Sequence, residues 1–146
     1  MADKKRILIA EDDPSILKMT KLRLEHEGYA VVSALDGEEA LRQAAREFPI
    51  HLILLDIKLP KLDGYTVCRR LKDQPKTETI PVIVFSASEN ELQRLADRCI
   101  DVGAADWIRK PFRTKDLLDK IHRALGELTQ QEGADGCTIP NLVGRR

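Results

Sequence analysis

Five short apolar runs alternate along this chain with stretches whose apolar residues recur at helical spacing. Residues 7–10 (ILIA) read as a first strand. Asp13 followed by Pro14 reads as a helix entrance: an aspartate accepts hydrogen bonds from the first free amides, and proline's missing N–H costs nothing at the first helical position. Gly28 closes that helix, and 30–33 make a short second strand. Leu41, Ala44, Ala45 and Phe48 fall at i, i+3, i+4 and i+7, a single buried stripe that Pro49 stops. Residues 50–55 (IHLILL) form a third strand, and so unbroken an apolar run fits burial on both faces. A turn around Pro60 and Asp63-Gly64 leads into a helix carrying Val67, Cys68 and Leu71. Residues 81–85 (PVIVF) are the fourth strand. Leu92, Leu95, Ala96 and Cys99 repeat the helical stripe up to Gly103, residues 104–109 form the fifth strand, and Leu117, Leu118, Ile121 and Leu125 mark the last helix.

Strict alternation of five strands with five helices implies a parallel α/β sheet with helices on both faces. At this length the arrangement expected is the flavodoxin-like (βα)5 doubly wound sheet, strand order 2-1-3-4-5. Function in such sheets sits at the carboxyl ends of the strands, beside the point where strand order reverses. The residues at those ends are Glu11, Asp12 and Asp13 after strand one, Asp56 after strand three, Ser86 after strand four, and Lys110-Pro111 after strand five. Strands one and three are neighbours in this order, so Glu11, Asp12 and Asp56 converge on one mouth. Two carboxylates ~4 Å apart repel by ~4 kcal/mol at an effective dielectric of ~20. A divalent cation and the Lys110 ammonium would cancel the three acidic charges. Few, hard oxygen ligands suit Mg²⁺. Beside such a cation Asp56 could attack a phosphoryl donor, and Ser86 could donate a hydroxyl hydrogen bond to the group transferred.

The segments ILIAEDDPSI (7–16), LILLDIKLPKLDGY (52–65), PVIVFSAS (81–88) and GAADWIRKPF (103–112) resemble the receiver domains of two-component response regulators. The likeness runs from residue 6 to about 126. It implies that Asp56 is the phosphoacceptor, that Asp12 binds Mg²⁺ directly and Glu11 through water, and that the Lys58 backbone carbonyl is a further metal ligand. It implies Ser86 as the switch hydroxyl, Lys110 as the family's lysine, a cis peptide before Pro111, and Trp107 at the switch aromatic, where tyrosine or phenylalanine is more usual. Phosphorylation would be read out on the face made by the fourth helix, fifth strand and fifth helix. The side chains of Lys58 and Ser88 would flank the path of the water that hydrolyses the acyl phosphate and so tune its lifetime. The partners implied are a sensor histidine kinase or phosphotransfer protein and a downstream protein target, with room for a phosphorylation-dependent homodimer. The chain is then a switch that catalyses only its own phosphorylation and dephosphorylation. A haloacid-dehalogenase-type phosphatase also places a nucleophilic aspartate after a strand, but it needs an acid two residues on, where this chain has Lys58. A degenerate receiver would have lost an acid or the lysine, and here all are present.

Composition narrows the rest. Lysine plus arginine and aspartate plus glutamate each number 24, for zero formal net charge, which lacks the basic excess of a nucleic-acid-binding domain. Cys68, Cys99 and Cys137 have neither zinc-ligand spacing nor an even count, so reduced thiols are expected, two of them in the core. The start of the chain runs straight into a strand, without an apolar signal region, and no run reaches the length of a membrane span. A cytoplasmic protein is expected, with residues 1–126 as the receiver domain and 127–146 as a flexible tail or the start of a linker.

Overall fold

A computed structural model describes residues 4–46, 49–86, 98 and 101–126. In chain order the elements are β1 (Arg6–Ala10), α1 (Pro14–His26), β2 (Ala30–Ala34), α2 (Gly37–Ala44), β3 (Leu52–Asp56), α3 (Gly64–Lys72), β4 (Val82–Ser86), β5 (Asp106–Arg109) and a C-terminal helix (Thr114–Ala124). The five strands are parallel and ordered β2-β1-β3-β4-β5, the flavodoxin-like order expected.

Alternation along each strand splits the core in two. Leu8, Ala10, Ile53, Leu55, Val82 and Val84 face one side, where they meet Ala40 and Ala44 of α2 and Val67, Cys68 and Leu71 of α3. Ile7, Ile9, Leu52, Leu54, Ile83 and Phe85 face the other, against Leu24 of α1 and Leu117 and Ile121 of the C-terminal helix. The three central strands are thus apolar on both faces, as two-sided burial requires, while the edge strands β2 and β5 are only partly buried.

Capping sets where the helices begin. The Asp13 carboxylate accepts from the amides of Ser15 at 2.9 Å and Ile16 at 3.3 Å, and Pro14 occupies the first turn. Asp36 caps α2 through the Glu39 amide at 2.7 Å, and Asp63 caps α3 through the Thr66 amide at 3.0 Å. Gly28 and Gly103, both at positive φ, lie at the ends of helical stretches.

Several boundaries depart from the sequence expectation. In α2 Gly37, Ala40 and Ala44 are buried, whereas Ala45, expected in the same stripe, is exposed. Ala45 is the exposed C-cap, its amide bonded to Leu41 O at 3.2 Å, and as the cap it lies beyond the last helical residue. Phe48 lies outside the described residues, as do Leu92, Leu95, Ala96 and Cys99 of the expected fourth helix, Ser88, and residues 127–146 with Cys137. Ile50 is buried but precedes β3, because His51 turns its amide to Arg6 O at 2.8 Å and its Nδ1 to the Arg6 amide at 2.9 Å. Asp56 and Ser86 are the last residues of their strands rather than the first beyond them. Their backbones still join the ladder: Ile57 N donates to Phe85 O at 3.1 Å and Lys110 N to Ser86 O at 2.8 Å.

Candidate functional site

The acids converge where the strand order reverses. Glu11 and Asp12 follow β1 and Asp56 ends β3, two paired neighbours in which Ala10 lies opposite Leu55. One carboxylate oxygen from each of the three lies within 4.8 Å of the others. Glu11 and Asp56 are buried and Asp12 is exposed, so the cluster opens to solvent on Asp12's side.

Lys110 reaches into the cluster from the end of β5. Its Nζ donates to Glu11 Oε1 at 2.6 Å and to Asp56 Oδ2 at 3.2 Å, and it lies 4.6 Å from the Phe85 ring centroid. The aromatic face and the two carboxylates hold the ammonium from three directions. Phe85 is in turn braced edge-on by Phe112, their centroids 6.1 Å apart. Three acids against one lysine leave two negative charges in a mouth whose floor is apolar.

Local amides fix the carboxylates. Glu11 Oε2 accepts from Asp13 N at 3.1 Å, and Asp56 Oδ1 accepts from Lys58 N at 3.2 Å. Burial pushes the Glu11 carboxyl above the ordinary glutamate range; the charge of Asp56 adds to that, while the hydrogen bonds from Lys110 and Asp13 oppose it. An all-oxygen donor set with excess negative charge, spread over this distance, fits a hard divalent cation that completes its shell with water.

Of the remaining expected residues, Ser86, Lys58 and Pro111 border this mouth and Trp107 lies farther along β5. Ser86 is buried at the end of β4, the strand next to Asp56. The Lys110–Pro111 peptide is cis, as expected. The Lys58 side chain is exposed at the rim. Trp107 lies on β5, half-buried, and packs against the core cluster shared with α2 and α3. Lys120 of the C-terminal helix pairs with Asp106 Oδ1 at 3.1 Å and lies 6.0 Å from the Trp107 ring. Ser88 is outside the described residues. Sequence reasoning missed Phe85 as the ring beneath Lys110; its only signal is that it directly precedes Ser86 at a strand end.

A family model for the response regulator receiver domain matches residues 7–122. The chain belongs to the response-regulator receiver family. Phosphotransfer switching is the role of that family in two-component signalling. Among curated proteins the receiver is 37% identical, over 121 residues, to the alkaline phosphatase synthesis transcriptional regulatory protein PhoP of Bacillus subtilis (strain 168), covering 83% of this chain and 48% of that protein. The chain spans about half the length of the curated relatives it matches. Among solved structures it is similar to a CheY-like response regulator receiver domain protein from Methanospirillum hungatei JF-1, with TM-score 0.77 and 34% identity over 90% of this chain and 99% of that one. It is also similar to the receiver domain of sensor histidine kinase PA1611 from Pseudomonas aeruginosa PAO1, a structure with a magnesium ion coordinated in the active site cleft. That match has TM-score 0.76 and 32% identity, covering 86% of this chain and all of that one. No described helix is long and apolar enough to cross a membrane.

Proposed function

We propose that this receiver takes a phosphoryl group on Asp56 from a phosphohistidine donor in a Mg²⁺-dependent reaction and passes the change to a protein partner through the surface around Trp107. The observation that carries this reading is the convergence of Glu11, Asp12 and Asp56 with the Lys110 ammonium bridging Glu11 and Asp56. Asp12, Asp56 and the Lys58 carbonyl would hold the cation, with Glu11 joined through water. Mg²⁺ there would offset charge on the transferring phosphoryl oxygens.

The chain's own residues do the rest. The carboxylate oxygen of Asp56 that forms the new P–O bond attacks phosphorus in line, and the donor's P–N bond, or P–O bond in acetyl phosphate, breaks with its electron pair leaving on the donor. Lys110 is already within hydrogen-bond distance of Asp56 and can follow the charge onto the phosphoryl oxygens. Ser86, one strand over, would donate its hydroxyl to the same group, and Trp107 would move into the space it leaves. Lys58 offers three donors and no acceptor, so it would pair with a phosphoryl oxygen and obstruct hydrolytic water.

The donor's approach surface is the groove between α1 and the segment after β5. It encloses about 370 Å³, is walled by Ile16, Met19, Pro111 and Phe112, and reaches Lys110 itself. Met19 in its wall and Leu22 in an adjoining cavity are exposed apolar residues of α1, suited to a helical phosphodonor. Residues 1–126 would be the receiver, 127–146 a tail or linker, and the setting cytoplasmic.

Intact mass spectrometry after acetyl phosphate and Mg²⁺ tests the reading. One phosphoryl adduct is expected, absent in Asp56→Asn and weakened in Asp12→Ala; an equal adduct in Asp56→Asn refutes it.

A further inference from the structure

The loop between β3 and α3, which carries Lys58, is supported by an element that contributes none of the three acids. Inside the loop the amides of Leu59 and Leu62 donate to Ile57 O at 3.2 Å and Pro60 O at 2.8 Å. From behind, Gly64 lies against the backbone of Asp56 and Ile57: its amide donates to Ile57 O at 2.7 Å, and a Cβ there would be 2.8 Å from Ile57 Cα and nearer still to Asp56 O. From in front, the loop sits on the first turn of α2. The Gly37 amide donates to Pro60 O at 3.2 Å. A Cβ at Gly37 would lie 2.6 Å from Leu62 Cβ and 2.9 Å from Val67 Cγ2, and nearer still to Leu62 O. Lys61, at φ 70°, turns its ammonium onto Asp36 at 3.6 Å and Glu38 at 3.8 Å, either side of Gly37.

Gly37 is buried and, unlike Gly28 or Gly103, its backbone is not left-handed. Glycine is required there for space, since any side chain would occupy the place of the loop. We propose that Gly37 is a positioning residue for the cation site, acting through the seat it gives the β3–α3 loop and hence through the position of the Lys58 carbonyl. This rests on the reading above that a divalent cation is held there.

A methyl group at residue 37 must drive the loop outward by about 0.5–1 Å, because a packed interior has no room to absorb it. The backbone oxygen of Leu62 cannot swing aside as a side chain could. Mg²⁺ holds oxygen ligands at ~2.0–2.1 Å in near-ideal octahedral geometry, so a Lys58 carbonyl carried part of that way with Pro60 and Leu62 coordinates it poorly. Glu11 and Asp12 directly follow β1 and Asp56 ends β3, strands that a Cβ at residue 37 does not meet, and only the Lys58 amide bond to Asp56 Oδ1 ties one of these carboxylates to the loop. The loss is therefore of affinity, with the fold and the nucleophile kept.

Calorimetric titration of the metal-free full chain with Mg²⁺ tests this. Gly37→Ala should bind at least about tenfold more weakly than wild type, with its circular dichroism spectrum retained. Ala44→Gly, which weakens the same helix by about 1 kcal/mol at its far end, should bind as wild type does. Should Gly37→Ala fail to fold, Pro60→Gly decides: it adds no atoms, frees the same seat from an exposed position, and should weaken binding severalfold. Wild-type affinity in whichever variant folds overturns the proposal, as does an equal loss in Ala44→Gly. Mg²⁺ binding in Asp12→Asn protein equal to that of wild type would instead overturn the cation site, and this proposal with it.

Discussion

Removing one charge from the acidic mouth should stabilise the metal-free protein. Asp12 faces two other carboxylates within 4.8 Å, and Lys110 offsets one of them. One net like-charge pair at that separation repels by about 3.5 kcal/mol at an effective dielectric of ~20 and by about 0.9 kcal/mol in bulk water. Asp12 is exposed, so the lower bound governs, and Asp12→Asn should gain about 1 kcal/mol in low salt with chelator present, less as ionic strength rises. Urea unfolding measures this as a raised midpoint at unchanged slope. Mg²⁺ should reverse the order. At about ten times its dissociation constant, Mg²⁺ adds ~1.4 kcal/mol to wild type and little to the variant. The gain also has a pH signature. A carboxyl held above its ordinary range, as Glu11 is by burial, costs stability once ionised above its folded value, and that cost disappears as pH falls through it. The advantage of Asp12→Asn over wild type should shrink in the same window, as a neutral Glu11 no longer repels Asp12. An Asp12→Asn protein no more stable than wild type in chelator, or one with the full Mg²⁺ increment, would refute the electrostatic account.

Other outcomes follow from the same geometry. Trp107 is the only tryptophan, so beryllofluoride with Mg²⁺ should change its fluorescence intensity or quencher access, and Ser86→Ala should blunt the change; an identical signal with and without activation counts against coupling to β5. Lys58→Asn should lose its phosphoryl group faster, tenfold if the barrier falls by ~1.4 kcal/mol, and equal or slower hydrolysis would remove Lys58 as a guard. Burial works against the Asp63 carboxyl, but the Thr66 amide and hydroxyl bonds outweigh it and hold the group below the usual range. Asp63→Ala should therefore cost ~1 kcal/mol at neutral pH, a difference that is full above the ordinary aspartate value and disappears as pH falls through the folded one.

Strand order and the two-sided core were legible because short, nearly unbroken apolar runs in strict alternation with helix-period segments, at this chain length, leave a parallel sheet few alternatives. The mouth was legible because β1 and β3 are adjacent in that order, which sends Glu11, Asp12 and Asp56 to one place whatever the loops do. Lys110 was placed correctly at the strand end, yet its closest partner is Glu11 at 2.6 Å rather than Asp56, a detail set by side-chain reach that no spacing encodes. Ala45 was misread as buried because it keeps helical spacing, whereas it is the exposed cap beyond the last residue of α2. Gly37 is an unremarkable letter in the chain. Its meaning depends on Leu62 and Val67 arriving from 25 and 30 residues away, and close approach of backbones leaves no mark in a hydrophobic pattern.

The central claim is that Asp56 carries the phosphoryl group. Borohydride reduction of the protein after acetyl phosphate and Mg²⁺ converts an aspartyl phosphate to homoserine, which peptide sequencing by mass spectrometry locates. Homoserine at position 56, dependent on Mg²⁺ and reduced in yield in Asp12→Ala protein, is the result predicted. Homoserine at Asp12, Asp13 or any other acid, or none at all while the phosphoryl adduct is present, would contradict it.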